Sequence, residues 1–154
     1  MISVIQRVLS ASVTVDGEKV ANSGEGLLLL LGVSSEDNEE DARLLADKIS
    51  KLRVFCDDND KMNKSVYDIG GTVTVVPNFT LMASYKKGNR PDYMRGAKPE
   101  RANELFEYFY TYILDLVPHV QKGIFKADMK VELINDGPVT IVMDSRVLRG
   151  EREV

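Results

Sequence analysis

Alternating β-branched segments, one wholly apolar strand and only two stripes at helical spacing predict an α/β fold. The expected arrangement has three layers, α/β/β, with mixed sheets and the two main helices on one face. Residues 2–9 and 11–15 carry β-branched side chains in near alternation, and Asp16-Gly17 supplies a tight turn toward residues 19–21. The segment GLLLLLGV (26–33) is apolar throughout, so both faces of that strand are expected to be covered. Two helices cannot cover both faces of so much sheet. One face therefore takes the helices and the other packs on a second layer of strands.

The first helix opens at an acidic run. Asp37 with Glu40 offers a capping box, and Ala42, Leu45, Ile49 and Leu52 form an apolar stripe. Lys48, Lys51 and Arg53 suit its C-terminal dipole. After a polar loop at 57–65, Gly70-Gly71 leads into the strand TVTVVP. A long basic loop at 84–97 contains Gly88, Pro91 and Gly96, and loops of that length in a compact domain commonly carry function. Pro99 opens the second helix, with Ala102, Leu105, Phe106, Phe109, Ile113 and Leu116 on its apolar face, and Pro118 ends it. Residues 119–125, 129–135 and 139–144 read as strands. The domain is expected to span 1–145, followed by a charged, frayed tail at 146–154.

Composition removes several chemistries. The chain of 154 residues suits one domain and has one cysteine, Cys56, and one histidine, His119. That excludes an internal disulfide and a Cys/His zinc site within one chain. No metal and no cofactor is expected. DDNDKMNKS (57–65) lacks the glycine and terminal glutamate of a calcium loop, and Gly24-Glu25-Gly26 precedes a strand where a dinucleotide fingerprint would open a helix. The N-terminal MISVIQRVLSASV reads as a strand and not a signal peptide, and the longest apolar run, Leu27–Leu31, is far too short to span a bilayer. A cytoplasmic protein without membrane contact is expected. Net charge is −4, yet residues 86–101 hold Lys86, Lys87, Arg90, Arg95, Lys98 and Arg101 against Asp92 and Glu100. One basic segment on an acidic chain suits a polyanionic partner met at one face, or simply a solvated loop.

Two segments carry the candidate chemistry. Pro77-Asn78-Phe79-Thr80-Leu81 follows a strand, where the proline stops ladder pairing and leaves amides and a hydroxyl at a strand end. Asn135–Thr140, reading NDGPVT, has the composition of a hairpin turn. On spacing alone the first could be a plain strand terminus, the second a plain turn, and His119 a structural residue beside a helix end.

In IQRV (5–8), ASVTVDGE (11–18), GLLLLLGV (26–33), KISKLRVF (48–55), DKMN (60–63), FTL (79–81), KKGNRP (86–91), ADMKVEL (127–133) and NDGPVTI (135–141), the chain resembles the D-aminoacyl-tRNA deacylases, over about residues 1–145. That resemblance implies a homodimer with active sites at the subunit interface, acting on D-aminoacyl-tRNA. It implies a cis Gly137-Pro138 pair inserted into the partner's pocket to hold the substrate amino group, with Arg7 stabilising the pair. Phe79 and Thr80 carry over as catalytic positions. The family's usual Ser-Gln before Phe-Thr-Leu is Pro77-Asn78 here, so Asn78 carries over as a position only. Met129 is expected near the pocket, and Lys86, Lys87 and Arg90 against the acceptor stem.

For the mechanism so implied, the ester is reactive and brings its own vicinal hydroxyl. Orientation and backbone donors around Phe79 and Thr80 would then suffice. Thr80 as a nucleophile is the rival, placed behind substrate positioning because a threonine needs an adjacent base and the sequence shows no obvious one. A pocket that rejects L side chains sterically would admit many D-amino acids, and glycine with them. The alternatives are a related deacylase with relaxed or altered chirality, a non-catalytic dimeric nucleic-acid-binding module, and a structural dimer.

Overall fold

In the computed structural model, which describes residues 1–151, a mixed six-stranded sheet runs through the domain. Strands β1 (Ile2–Val15), β2 (Glu18–Ser23) and β3 (Gly26–Gly32) are followed by helix α1 (Glu39–Ser50) and a short ribbon of β4 (Phe55–Cys56) and β5 (Met62–Lys64). Then come β6 (Thr72–Pro77), a 3-10 turn (Phe79–Met82), α2 (Pro99–Leu114), β7 (His119–Lys122), β8 (Met129–Asp144) and α3 (Ser145–Leu148). The sheet order is β2-β1-β3-β6-β7, and β8 pairs with β1. Strands β3, β6 and β7 are mutually parallel, whereas β1 is antiparallel to β2, β3 and β8.

The alternation of β3 divides two cores. Leu27, Leu29 and Leu31 join Val73 and Val75 beneath Ala42, Leu45, Ala46, Ile49, Leu105, Phe106, Phe109 and Ile113, so both main helices lie on one face. Leu28 points the other way, into a smaller cluster with Val8, Ala11, Val13, Ala21 and Val76. The second layer is no separate sheet. The far half of β1, with β2, closes over β3 and β6. Ser23 Oγ comes within 3.3 Å of Thr74 Oγ1, and Asn22 N–H donates to Gln121 Oε1 at 3.0 Å.

Three local expectations need correction. The cap of α1 is Asn38, whose side chain accepts the Glu40 N–H while Asp41 accepts the Asn38 N–H, so the box lies one residue beyond Asp37. Asp37 instead accepts the Ser34 N–H at 2.6 Å, closing the turn that brings β3 to the helix. Asn135–Thr140 is not a hairpin turn: β8 is one strand, and between Gln6↔Thr140 and Val8↔Asn135 it advances five residues for two of β1. The extra residues bulge out of the ladder. The tail through residue 151 is not frayed. Ser145 is fully buried, its hydroxyl donates to Asp41 at 2.6 Å, and its N–H donates to the Met1 carbonyl at 2.9 Å. Arg149 reaches the same Asp41 carboxylate at 3.4 Å. The charged composition concealed three anchors, two on Asp41 of α1 and one on Met1. Residues 152–154 of the expected tail lie outside the described residues.

Candidate active site

On the face away from the helices, a groove of about 520 Å³ opens at the C-terminal end of β6. Its lining includes Leu30, Val76, Asn78, Phe79, Phe125 and Met129. The strand ends there because of Pro77. Val76 still pairs with Leu30, Pro77 sits opposite Leu31 without an N–H to donate, and Asn78 N–H makes the last bond, 2.8 Å to the Leu31 carbonyl. The chain then tightens into a single 3-10 turn.

Asn78 caps that turn. Its Oδ1 accepts the Thr80 N–H at 3.1 Å and also the Thr80 hydroxyl. A main-chain N–H can only donate, which fixes Oδ1, and not the side-chain amide nitrogen, as the atom facing Thr80. Two consequences follow. The Thr80 hydroxyl has its proton committed to Asn78 and presents lone pairs. The Thr80 N–H is committed as well, and Leu81 N–H donates to Asn78 O at 3.4 Å, so Phe79 N–H is the main-chain donor at the start of the turn without an acceptor among the described residues. The expectation of free amides at both Phe79 and Thr80 is thus reduced to one. An amide oxygen is a poor proton acceptor, so Asn78 is no general base for a Thr80 nucleophile.

The structure brings Asn78, Phe79 and Met129 to one groove, with Thr80 exposed at its end. Sequence reasoning missed Phe125 and Leu30. Leu30 was legible as the alternate face of the leucine run. Phe125 sits in the irregular link between β7 and β8, where no periodicity marks it.

Arg7, Gly137 and Pro138 form a second constellation and do not line this groove. Arg7 stands between the paired Gln6 and Val8, opposite the bulge of β8, and is turned toward the helix face, its side chain only 12% exposed. Its Nε donates to the Asp136 carbonyl at 3.0 Å, its Nη1 donates to the Val54 carbonyl at 2.6 Å, and Nε also lies 3.3 Å from the Asp136 carboxylate. Asn135 Nδ2 spans the bulge, donating to the carbonyls of Arg7 and Val139 at 3.0 Å each. Those bonds hold out an exposed Gly137-Pro138 pair whose peptide bond is cis. Gly137 has φ +146°, and a Cβ there would meet Val139 N at 2.5 Å and Val139 Cγ2 at 2.8 Å, so only glycine fits.

Lys86, Lys87 and Arg90 lie exposed on the segment between the 3-10 turn and α2. His119 begins β7 opposite Thr72, exposed and outside both constellations. No group of three or more His, Cys, Asp or Glu among the described residues is placed to hold a metal ion, and no described helix is long and apolar enough to cross a membrane.

Residues 4–144 match the family described as D-Tyr-tRNA(Tyr) deacylase. A D-aminoacyl-tRNA deacylase of Dictyoglomus turgidum is 47% identical over 152 residues, covering 99% of this chain and 97% of that relative. One of Flavobacterium psychrophilum is 54% identical over 144 residues, covering 93% and 96%. Among solved structures, the c-Myc DNA Unwinding Element Binding Protein superposes with TM-score 0.89 at 38% identity, over 94% of this chain and 98% of that one. A structure described as a probable eukaryotic D-amino acid tRNA deacylase superposes with TM-score 0.80, over 93% and 98%, at 14% identity, and so bears on the fold alone.

Proposed function

The chain belongs to the D-Tyr-tRNA(Tyr) deacylase family, and on that premise we propose that it hydrolyses the ester of D-aminoacyl-tRNA at a site shared between two chains. The observation that carries the shared site is the separation of its halves. The groove of Asn78, Phe79 and Met129 and the projecting Gly137-Pro138 pair lie in different constellations of one chain. A second copy unites them if its Gly137-Pro138 enters the groove of the first. Strand β8 supports such pairing: its outer edge has no partner strand among the described residues, and Ile134 and Val142 on it, with Leu9 on β1, are more than half exposed.

In the united site, the carbonyls beside the partner's Gly137-Pro138 hold the substrate ammonium, and the Phe79 N–H faces the developing oxyanion. One well-placed donor of this kind lowers a barrier by about 3–4 kcal/mol. Thr80 positions the substrate by accepting a hydrogen bond, and water attacks the ester with the vicinal ribose hydroxyl as proton relay. A site that fixes the amino group and closes one side rejects an L side chain by steric exclusion. Many D side chains then pass, and glycine, with no side chain to exclude, passes too. Lys86, Lys87 and Arg90 meet acceptor-stem phosphates. Work of this kind belongs in the cytoplasm, as chiral proofreading in translation.

Incubation with D-tyrosyl-, L-tyrosyl- and glycyl-tRNA tests the reading. Release of D-tyrosine and glycine with L-tyrosyl-tRNA left intact supports it. Equal hydrolysis of both enantiomers means relaxed chirality. Binding without hydrolysis leaves a nucleic-acid-binding module, the second reading, which the name of the 38% identical structure favours.

A further inference from the structure

Met94 and Tyr85 are the most exposed large apolar side chains among the described residues, at 86% and 83%. Both belong to one segment, and that segment is held in shape. Ser84 and Asp92 exchange backbone hydrogen bonds of 2.8 and 3.0 Å, the Asp92 carboxylate accepts the Met94 N–H at 3.2 Å, and Arg95 O accepts the Ser35 N–H at 3.0 Å. Tyr85 is therefore displayed just inside a closed hairpin and Met94 just beyond its closing pair, on a segment tied back to the body of the domain.

The surroundings of the pair are cationic. Lys86, Lys87 and Arg90 lie within the hairpin and Arg95 next to Met94, and none of them forms an ion pair among the described residues. The hairpin also abuts the groove. Phe79, which lines it, meets Tyr93 edge-on at 5.1 Å between centroids with an interplanar angle of 75°. The Phe79–Tyr93 contact thus joins the groove to the segment that carries Met94 and the cations. Phosphate-binding cations alone would suit a duplex, whose bases are stacked on one another. An exposed aromatic and a polarisable thioether among cations suit unpaired nucleotides, whose base faces are free.

We propose that Tyr85 and Met94 form a stacking platform for the unpaired nucleotides at the 3′ end of the tRNA, between the groove and the phosphate-binding cations. The platform rests on the deacylase reading for its occupant and adds a base contact to the charge contact.

The test compares wild type, Tyr85→Phe and the double variant Tyr85→Ala/Met94→Ala on two substrates, D-tyrosyl-tRNA and 3′-O-D-tyrosyl-adenosine, which lacks the strand. The double variant should raise KM for the tRNA about tenfold, with kcat and the salt slope of binding little changed. It should hydrolyse the nucleoside ester at the wild-type rate, and Tyr85→Phe should behave as wild type on both. An unchanged KM for the tRNA overturns the platform. So does an equal loss on both substrates, which marks a structural role, and so does a halved sedimenting mass, which marks a contact with a second copy. Binding of uncharged minihelices with and without a single-stranded 3′ overhang separates this proposal from the deacylase reading. If wild type hydrolyses neither ester, the deacylase reading fails. The platform then stands only if overhang preference is seen in wild type and lost in the double variant.

Discussion

Arg7 Nε lies 3.0 Å from the Asp136 carbonyl oxygen, so a residue of β1 fixes the main chain immediately before Gly137-Pro138. The same guanidinium donates to Val54 O on the helix side, bracing the bulge against the body of the domain. A planar fork makes both bonds at once, and a lysine ammonium cannot reproduce that geometry.

Arg7→Ala should therefore lower D-tyrosyl-tRNA turnover by about a hundredfold, the scale expected when a reacting group is misplaced by about 1 Å. Arg7→Lys should recover little of it. Steady-state deacylation with circular dichroism as a fold control checks this. Full activity in Arg7→Ala would show that the bulge holds its shape without the brace.

Thr80→Ala should slow turnover by about 10- to 100-fold, the rate equivalent of one hydrogen bond to a charged group, without abolishing it. Asn78→Ala should slow it by about tenfold, because both the Thr80 hydroxyl and its N–H lose the acceptor that orients them. Mass spectrometry of quenched reactions should find no acyl group on the protein. An aminoacyl ester trapped on Thr80 would assign it as the nucleophile.

Replacing Lys86, Lys87 and Arg90 by alanine should weaken tRNA binding and make log Kd less dependent on log salt by about two units, since each phosphate contact contributes about 0.7–0.9. Fluorescence titrations at several salt concentrations read this directly. An unchanged slope would place the tRNA elsewhere.

Asp144 links β8 to α3, capping the helix by accepting the Arg146 N–H at 3.0 Å. Burial raises its carboxyl, but hydrogen bonds from the Arg146 side chain and main chain outweigh burial and hold it below the ordinary value of 3.8. A carboxyl depressed on folding contributes its stabilisation fully above the ordinary value and loses it as pH falls through the lowered one. Asp144→Ala should cost about 1 kcal/mol or more at neutral pH, and the gap to wild type should narrow below about pH 4. Urea melts across pH give the gap. A constant difference down to strongly acid pH would mean the ion pair with Arg146 contributes nothing.

Much of the fold was legible because periodicity reports burial. The leucine run predicted a strand covered on both faces, and its two alternating sets enter the two cores. The two helical stripes likewise found their places beneath α1 and α2. What stayed hidden depends on pairing at long range. No local pattern distinguishes a turn at NDGPVT from a bulge, because the difference lies in β1, 128 residues away in the bond from Asn135 to Arg7. The tail was misread for a similar reason, its charges being matched by Asp41 on α1. At the site, Phe79 and Thr80 could be placed at a strand end from Pro77, whereas the capture of the Thr80 amide by Asn78 is a matter of rotamer and could not be read from spacing.

The shared site is tested most directly by mixing two defective chains. One carries Gly137→Ala, which deforms the projecting bulge, and the other carries Asn78→Ala/Thr80→Ala, which removes the groove's side-chain polar groups. Gly137→Ala alone should be nearly inactive on D-tyrosyl-tRNA, and the groove variant alone should keep at most about a tenth of wild-type turnover. After unfolding and refolding together in equal amounts, half the dimers should be mixed, and each mixed dimer has one intact site. About a quarter of wild-type activity should return. Activity no greater than the mean of the two variants would contradict the account, because it would mean that groove and bulge act within a single chain.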